Sequence, residues 1–338
     1  GKYRQGVSYL RLESLAKEEA MQKLVKFMLL SVLTFALVLA IAPSSFAKTV
    51  LKLGNVQPST MVVQKGLKYF ADSVYKRTNG EVEIQVFPAS QLGTEQEILE
   101  GVQLGTIHMF EGSTGAAGRF LPELEAFAGP FVWKDLSHML NVARGDIGEQ
   151  LNQRLIKSQG MRILDLGWLF GHRNLTTKNK AVYKPADVKG LKIRVQPTTI
   201  YLEMIRAMGG SPTPIDWKEV YMSLQTGVVD GQENPIGVIY SAKLNEVQNY
   251  LMLTQHITQN QIVIINENVF KGLTPEQKKI IQTAAVEAGD YQNFLIEQGA
   301  KEYLEKLKAA GMNVIGPEEG LDRDAFREAT SGVFDLFK

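Results

Sequence analysis

Arg194 stands in the run Gly190-Leu191-Lys192-Ile193-Arg194-Val195, which reads as a β-strand. Alternation along a strand puts Ile193 and Val195 on one face and Lys192, Arg194 and Gln196 on the other. Strands of α/β sheets are covered on both faces, so a mid-strand guanidinium is costly unless an anion meets it. Its planar fork matches a carboxylate with two parallel hydrogen bonds. That carboxylate belongs either to an Asp or Glu of the protein or to a bound acid, and the strand alone leaves both open. Glu95 and Glu111 follow strand ends, where open α/β sheets hold ligands, although a solvated role suits either.

Other chemistry is missing. The 338 residues contain no cysteine, which excludes disulfides, thiolate metal sites and thiol nucleophiles. No G-x-x-x-x-G-K-[ST], G-x-S-x-G or H-E-x-x-H occurs, and Gly112, Gly115 and Gly118 do not have the dinucleotide spacing. The four histidines, His108, His138, His172 and His256, are far apart in the chain. With 37 basic and 36 acidic residues the net charge is +1, so nothing points to nucleic acid. For an α/β chain of this size the silence favours binding over catalysis.

The elements that must position these residues alternate strand and helix. Strands are expected at 50–53, 82–87 and 107–110. A helix from Met61 ends at Asn79-Gly80, and Thr94 with Glu97 forms a capping box. Beyond a Gly-rich loop at 112–118 come strands at 162–166, near 172–176, at 190–195, at 228–230 and at 262–265. Helices are expected around 200–208 and from Asp216, with Glu219 at its third position. Thr274-Pro275-Glu276-Gln277 starts a helix that continues to Ala310-Gly311, long enough to brace two domains. The absence of a Pro/Ser-rich linker implies several short crossovers between two lobes.

Residues 21–47 read as a secretory signal: Met21, Lys23 and Lys26, then the apolar run from Phe27 to Ala42, then small residues before a cut after Ala47. The run is shorter than the roughly 20 residues a membrane span needs. Residues 1–20 read as a remnant or a misassigned start. From Lys48 the expected mature chain carries a net charge of about −2.

Three stretches are distinctive together: Gly190 to Val195, Glu219-Val220-Tyr221-x-x-Leu224-Gln225-Thr226-Gly227-Val228-Val229-Asp230-Gly231, and Gln232-Glu233-Asn234-Pro235. With Gln91-Leu92-Gly93, Pro130-Phe131 and Gly171-His172-Arg173, they make the chain from Lys48 onwards closely resemble the solute-binding subunits of tripartite ATP-independent periplasmic (TRAP) transporters. The resemblance implies a two-lobed α/β fold, two mixed sheets flanked by helices, with a ligand cleft between them and a long bracing helix. It implies lobes at 48–170 with 260–299 and 171–259 with 300–338, crossing near Gly171 and Gln259. It implies a periplasmic, monomeric protein without cofactor or metal that captures a small carboxylate and passes it to the membrane permease subunits. A ligand-presenting sensor or an enzyme acting on an organic acid are the alternatives.

The resemblance makes Arg194 the carboxylate anchor and adds Arg173 and Asn234 as ligand contacts, where a turn before Pro235 is the plainer role for Asn234. Trp168, Phe170 and Trp217 are candidate cleft walls, with core packing as the alternative. These aromatics, and Glu111 should it reach the cleft, favour a monocarboxylate with an apolar, hydroxylated or amino-bearing remainder over a C4-dicarboxylate.

Overall fold

The computed structural model describes residues 17–31 and 48–337. Residues 17–31 are helical and exposed. The rest of the expected signal, including the cut after Ala47, lies outside the described residues. Among those described, no helix is long and apolar enough to cross a membrane. The body that begins at Lys48 forms its own contact unit.

Nine strands form one sheet: β1 (Thr49–Gly54), β2 (Val82–Phe87), β3 (Met109–Ser113), β4 (Met161–Thr177), β5 (Lys192–Val195), β6 (Ser211–Pro214), β7 (Gly231–Pro235), β8 (Tyr250–Asn266) and β9 (Asn313–Ile315). Their order is β2-β1-β3-β8-β4-β7-β5-β6, with β9 on the free part of β8. The outer strands pair in parallel on each side, β2-β1-β3 and β7-β5-β6, as β-α-β connections require. Between them β4 and β8 run antiparallel over 17 residues each.

The sequence reading puts two mixed sheets here; the ladder instead runs unbroken through both halves. The short strands expected at 162–166, 172–176 and 262–265 are parts of these two long ones. Gly167, Gly171 and the polar run His172-Arg173-Asn174 interrupt the apolar pattern without ending the strand. Where they fall, the ladder absorbs them as register shifts, among them one between Leu169 and Gly171, where Gly171 adopts φ 127°. Gly171 faces Gln259 directly across this ladder, so the two expected crossover points are one place in the fold.

The buried apolar residues gather on both faces of both halves. On one face of the first half, Leu67, Phe70 and Val74 of the helix Val63–Arg77 meet Ile281, Ala284 and Ala288 of the helix Pro275–Ala309. On the other, Ile98, Leu99 and Leu155 cover Phe110, Ile262 and Ile264. In the second half, Ile200, Met204 and Ile205 cover Ile193 and Val195, while Val220, Leu224 and Ile239 pack with Leu251 and Leu307. The 35-residue helix Pro275–Ala309 therefore contributes to cores in both halves, through Ile281 at one end and Leu307 at the other. Its capping box is formed as expected, Thr274 Oγ1 accepting from Gln277 N and Gln277 Oε1 from Thr274 N.

Two local expectations shift. The strand expected at 228–230 lies at 231–235, and Asn234-Pro235 ends a strand rather than making a turn. Gln232, Glu233 and Asn234 look like loop residues by polarity, but each is buried and satisfied by a neighbour on the sheet. Asp216 makes no side-chain cap; a 3-10 turn, Trp217–Glu219, leads into the helix Val220–Gln225 instead. Part of the Gly-rich loop is also structured, with Gly112 and Ser113 ending β3 and Thr114–Ala117 forming a helical turn.

Candidate functional site

β5 buries Ile193 and Val195 on one face and turns Arg194 to the other, as the alternation requires. The Arg194 side chain is enclosed, with 1% of the residue exposed. Its Nε–H donates to the Ile215 carbonyl at 2.9 Å, and its guanidinium lies 5.8 Å from the Trp217 ring centroid. The two terminal nitrogens have no acceptor among the described residues. Burial, reinforced by the nearby Arg173 charge, pulls the Arg194 pKa down to about 10, so the group is still a cation at neutral pH.

Arg194 lines an open pocket whose empty space, with the solvent at its mouth included, is about 540 Å³. Glu95, Ala116 and Arg119 line it from the first half of the fold, and Arg194, Gln196 and Trp217 from the second. The loops after β3 and β5 are tied together beside it, where Arg119 Nη2 donates to the Pro197 carbonyl at 2.8 Å. Gly115 permits the approach, since a Cβ there would lie 3.2 Å from the Tyr201 ring. Gln196 Oε1 and Thr198 Oγ1 on the wall, and Tyr201 Oη close by, are buried without a partner among the described residues. Polar groups left so are normally paired, and each costs about 1–3 kcal/mol while it is not. The cavity thus offers one unspent guanidinium and several unspent hydrogen-bonding groups.

Glu95 lines the wall, its carboxylate accepting from Ser113 N at 2.8 Å and Ser113 Oγ at 2.9 Å. Burial raises its pKa despite both bonds. Glu111, on β3, is fully buried, does not line the cavity, and has no partner for either carboxyl oxygen among the described residues. Burial first and the Glu95 charge second push its pKa well up.

The other expected contacts separate. Trp217 is on the cavity wall. Trp168 is a core residue, edge-on to Phe70 at 6.5 Å with its indole N–H donating to the Ala285 carbonyl at 3.0 Å. Phe170 lies on a different, more apolar hollow beside His172 and Ile296. Asn234 donates to Gln232 Oε1 at 2.5 Å and is not on the cavity wall. Arg173, expected as a second anchor, is spent inside the protein. Its Nε–H donates to Glu233 Oε2, its Nη2 to Glu233 Oε1 at 2.6 Å and to the Glu233 carbonyl at 2.5 Å, and its Nη1 to Gln259 Oε1 at 2.5 Å. The protein carboxylate left open by the strand pattern exists, but for Arg173 and not for Arg194.

Sequence reasoning missed Gln196, Thr198, Tyr201 and Arg119. The first two could have been found, as they continue the Arg194 face past the strand's carboxyl end, where ligands of α/β sheets sit. Nothing local marks Arg119 or Tyr201. Among the described residues no group of three or more His, Asp or Glu could hold a metal ion.

Residues 53–338 match the family model described as bacterial extracellular solute-binding protein, family 7. The chain belongs to that family, the solute-binding proteins of TRAP transporters. Among its relatives is the 2,3-diketo-L-gulonate-binding periplasmic protein of Escherichia coli, 36% identical over 88% of this chain and 90% of that one. The sialic acid-binding periplasmic protein of Vibrio cholerae is 34% identical over 89% and 92%. A TRAP solute-binding protein from Polaromonas sp. JS666, solved bound to D-erythronate, is 33% identical over 86% of this chain and 94% of that one, with a TM-score of 0.81. Two lobes around a cleft are therefore the architecture of this TRAP binding protein.

Proposed function

We propose that this chain is an exported, non-catalytic binding protein that captures a hydroxylated monocarboxylate beside Arg194 and delivers it to an ion-gradient-driven TRAP permease. The single observation that carries the reading is the buried Arg194 guanidinium on the cavity wall, whose terminal nitrogens have no acceptor among the described residues. A carboxylate supplies the acceptor and the missing charge. One carboxylate suffices, because Arg173 is neutralised by Glu233. Hydroxyl groups suit the rest of the cavity, with Glu95 as acceptor and Gln196 and Thr198 as further partners. The acids named for the three relatives above are hydroxylated monocarboxylates, which supports the same class here.

A thermal-shift panel tests it. Gluconate, galactonate, erythronate and glucuronate should include one acid that stabilises by about 2.7 kcal/mol at a hundred times its dissociation constant. Succinate, malate and fumarate should do much less. The opposite ranking would sink the monocarboxylate reading. Recovery of the acid chemically unchanged distinguishes binding from turnover.

Delivery requires the cleft to open. The lobes proposed are 48–170 with 260–299 and 171–259 with 300–338, moving about the Gly171–Gln259 pair while the long helix spans both. The radius of gyration from solution scattering should fall when the acid binds. Superposable curves with and without a saturating ligand would contradict hinge closure.

A further inference from the structure

The helix Pro275–Ala309 is packed at its two ends and bare between them. Ile281 and Ala288 belong to the core of one half and Leu307 to that of the other, while no residue from Phe294 to Lys306 is buried. Beside this stretch lies a hollow of about 300 Å³, and small-molecule sites start at roughly that size. Ile296, Ala300 and Tyr303 of the helix line it, spaced so as to share one face. Phe170, Val238 and Gly171, one of the hinge pair, complete it. Its charge is the reverse of that in the cavity beside Arg194. No Lys or Arg lines it, and its one acidic residue, Glu297, has neither ion pair nor hydrogen bond among the described residues. Desolvation and the Arg323 charge lower the His172 pKa, so the imidazole that lines the hollow is neutral at pH 7.5. Arg323 itself donates to the Thr254 carbonyl at 3.2 Å and is not on the wall.

The hollow and the cavity lie on opposite faces of the hinge. The ladder is regular from Gly171 to Arg173, so the side chains of His172 and Arg173 leave β4 on opposite sides. His172 lines the hollow, whereas Arg173 approaches Tyr201, beside the cavity, at 5.1 Å from the ring centroid. In this structure the two halves are tied at the cavity by the bond from Arg119 to the Pro197 carbonyl. Pivoting the lobes apart there must bring them together on the far face, where the hollow is. The hollow therefore shrinks as the cleft opens.

We infer that the hollow is a second binding site, for a small apolar molecule carrying one ammonium group, and that its occupant holds the lobes closed. An aromatic body suits Phe170, Ile296 and Tyr303, and Glu297 receives the charge. Such a cation does not compete for the cleft, where Arg194 calls for an anion. A molecule that fits the hollow only in the closed form must raise the affinity of the cleft for its acid. By linkage the acid raises the affinity of the hollow by the same factor. The coupling rests on the carboxylate reading of the cleft; the site itself does not.

The probe is 2-phenylethylamine, with 2-phenylethanol and phenylacetate as its neutral and anionic counterparts. Saturation-transfer NMR and calorimetry on the wild-type protein should show the amine binding more tightly than either counterpart. Glu297→Gln should weaken the amine by roughly threefold, as for an exposed ion pair, and leave the alcohol unchanged. Gly237→Leu should abolish amine binding by filling the hollow, where a Cβ at Gly237 would meet the Tyr303 ring at an ordinary 3.5 Å. Ala300→Leu fills the same space and serves should Gly237→Leu not fold. Saturating amine should tighten D-erythronate or D-gluconate binding by about fivefold or more. The filled variants should show the tighter acid binding without any amine. A wild type that ignores the amine, or takes all three probes equally, overturns the inference. So does amine binding that survives in a folded, filled variant, or acid affinity that the amine leaves unchanged. Should neither acid bind, the carboxylate reading fails by itself, and scattering judges the hollow. The amine should then lower the radius of gyration, and an unchanged value overturns the inference.

Discussion

Arg194→Ala is expected to remove ligand binding while leaving the unliganded fold at least as stable as before. Truncating one partner of a buried charge pair costs about 2–5 kcal/mol of binding, or roughly 30- to 5,000-fold in affinity. The same truncation should not weaken the empty protein, because Arg194 makes one hydrogen bond, to the Ile215 carbonyl, and is repelled by Arg173. Arg194→Lys should bind at least tenfold more weakly than wild type, since one ammonium cannot reproduce two parallel bonds to a planar carboxylate. Calorimetry gives the affinities and urea unfolding the stabilities. Near wild-type affinity in both variants would place the carboxylate elsewhere. A large loss of stability in Arg194→Ala would mean that the guanidinium serves the fold.

The second large effect is a gain. Glu111→Gln should stabilise the protein at pH 7.5, because the unfolded chain gains by ionising Glu111 while the fold resists it, an effect of about 1.4 kcal/mol for each unit by which the folded-state pKa is raised. Burial and the Glu95 charge raise the Glu111 pKa in the fold. A raised carboxyl pKa makes the fold bind a proton that the unfolded chain releases at about pH 4.3. The penalty is therefore absent below that value and grows as pH rises towards the folded-state pKa. A glutamine has no proton to lose, so the variant's advantage should be largest at pH 8 and smallest at pH 4.5. Urea midpoints at the two pH values measure it. An advantage that does not change with pH would show that Glu111 is ionised or paired in the fold.

Much of the first half was legible because its signals are local. The Thr94 and Thr274 capping boxes, the period-two strand at 82–87 and the apolar face of the helix Val63–Arg77 each depend on residues a few positions apart. Arg194 was legible for the same reason, its face following from its two apolar neighbours. What resisted reading is decided by partners distant in the chain. Gln232 and Glu233 lie in a buried strand only because Thr176, Arg173 and His256 satisfy them. Whether Arg173 serves a ligand or Glu233 cannot be told from the spacing of either residue. Trp168 carries the same pattern as an aromatic on a cleft wall, and Ala285, more than a hundred residues away, settles it as core. The resemblance implied two sheets, and the single one was hard to see because Gly167 and Gly171 break the apolar run of β4 and polar residues between Thr254 and Gln261 break that of β8.

The pairing of β3 with β8 also constrains the order in which the chain can fold. Met109 finds its partner in Ile265, and the helix that completes the same core begins only at Pro275. No amino-terminal stretch can finish its own sheet during synthesis, because the strand that joins β3 to the rest has yet to be made. Contacts this distant in the chain close slowly, since loop entropy must be lost before they can form. A growing chain of this topology stays open until most of it exists. That delay suits a polypeptide that must pass through a narrow pore before it folds, and the long strands that tie the two lobes together are also what keeps either lobe from closing too early.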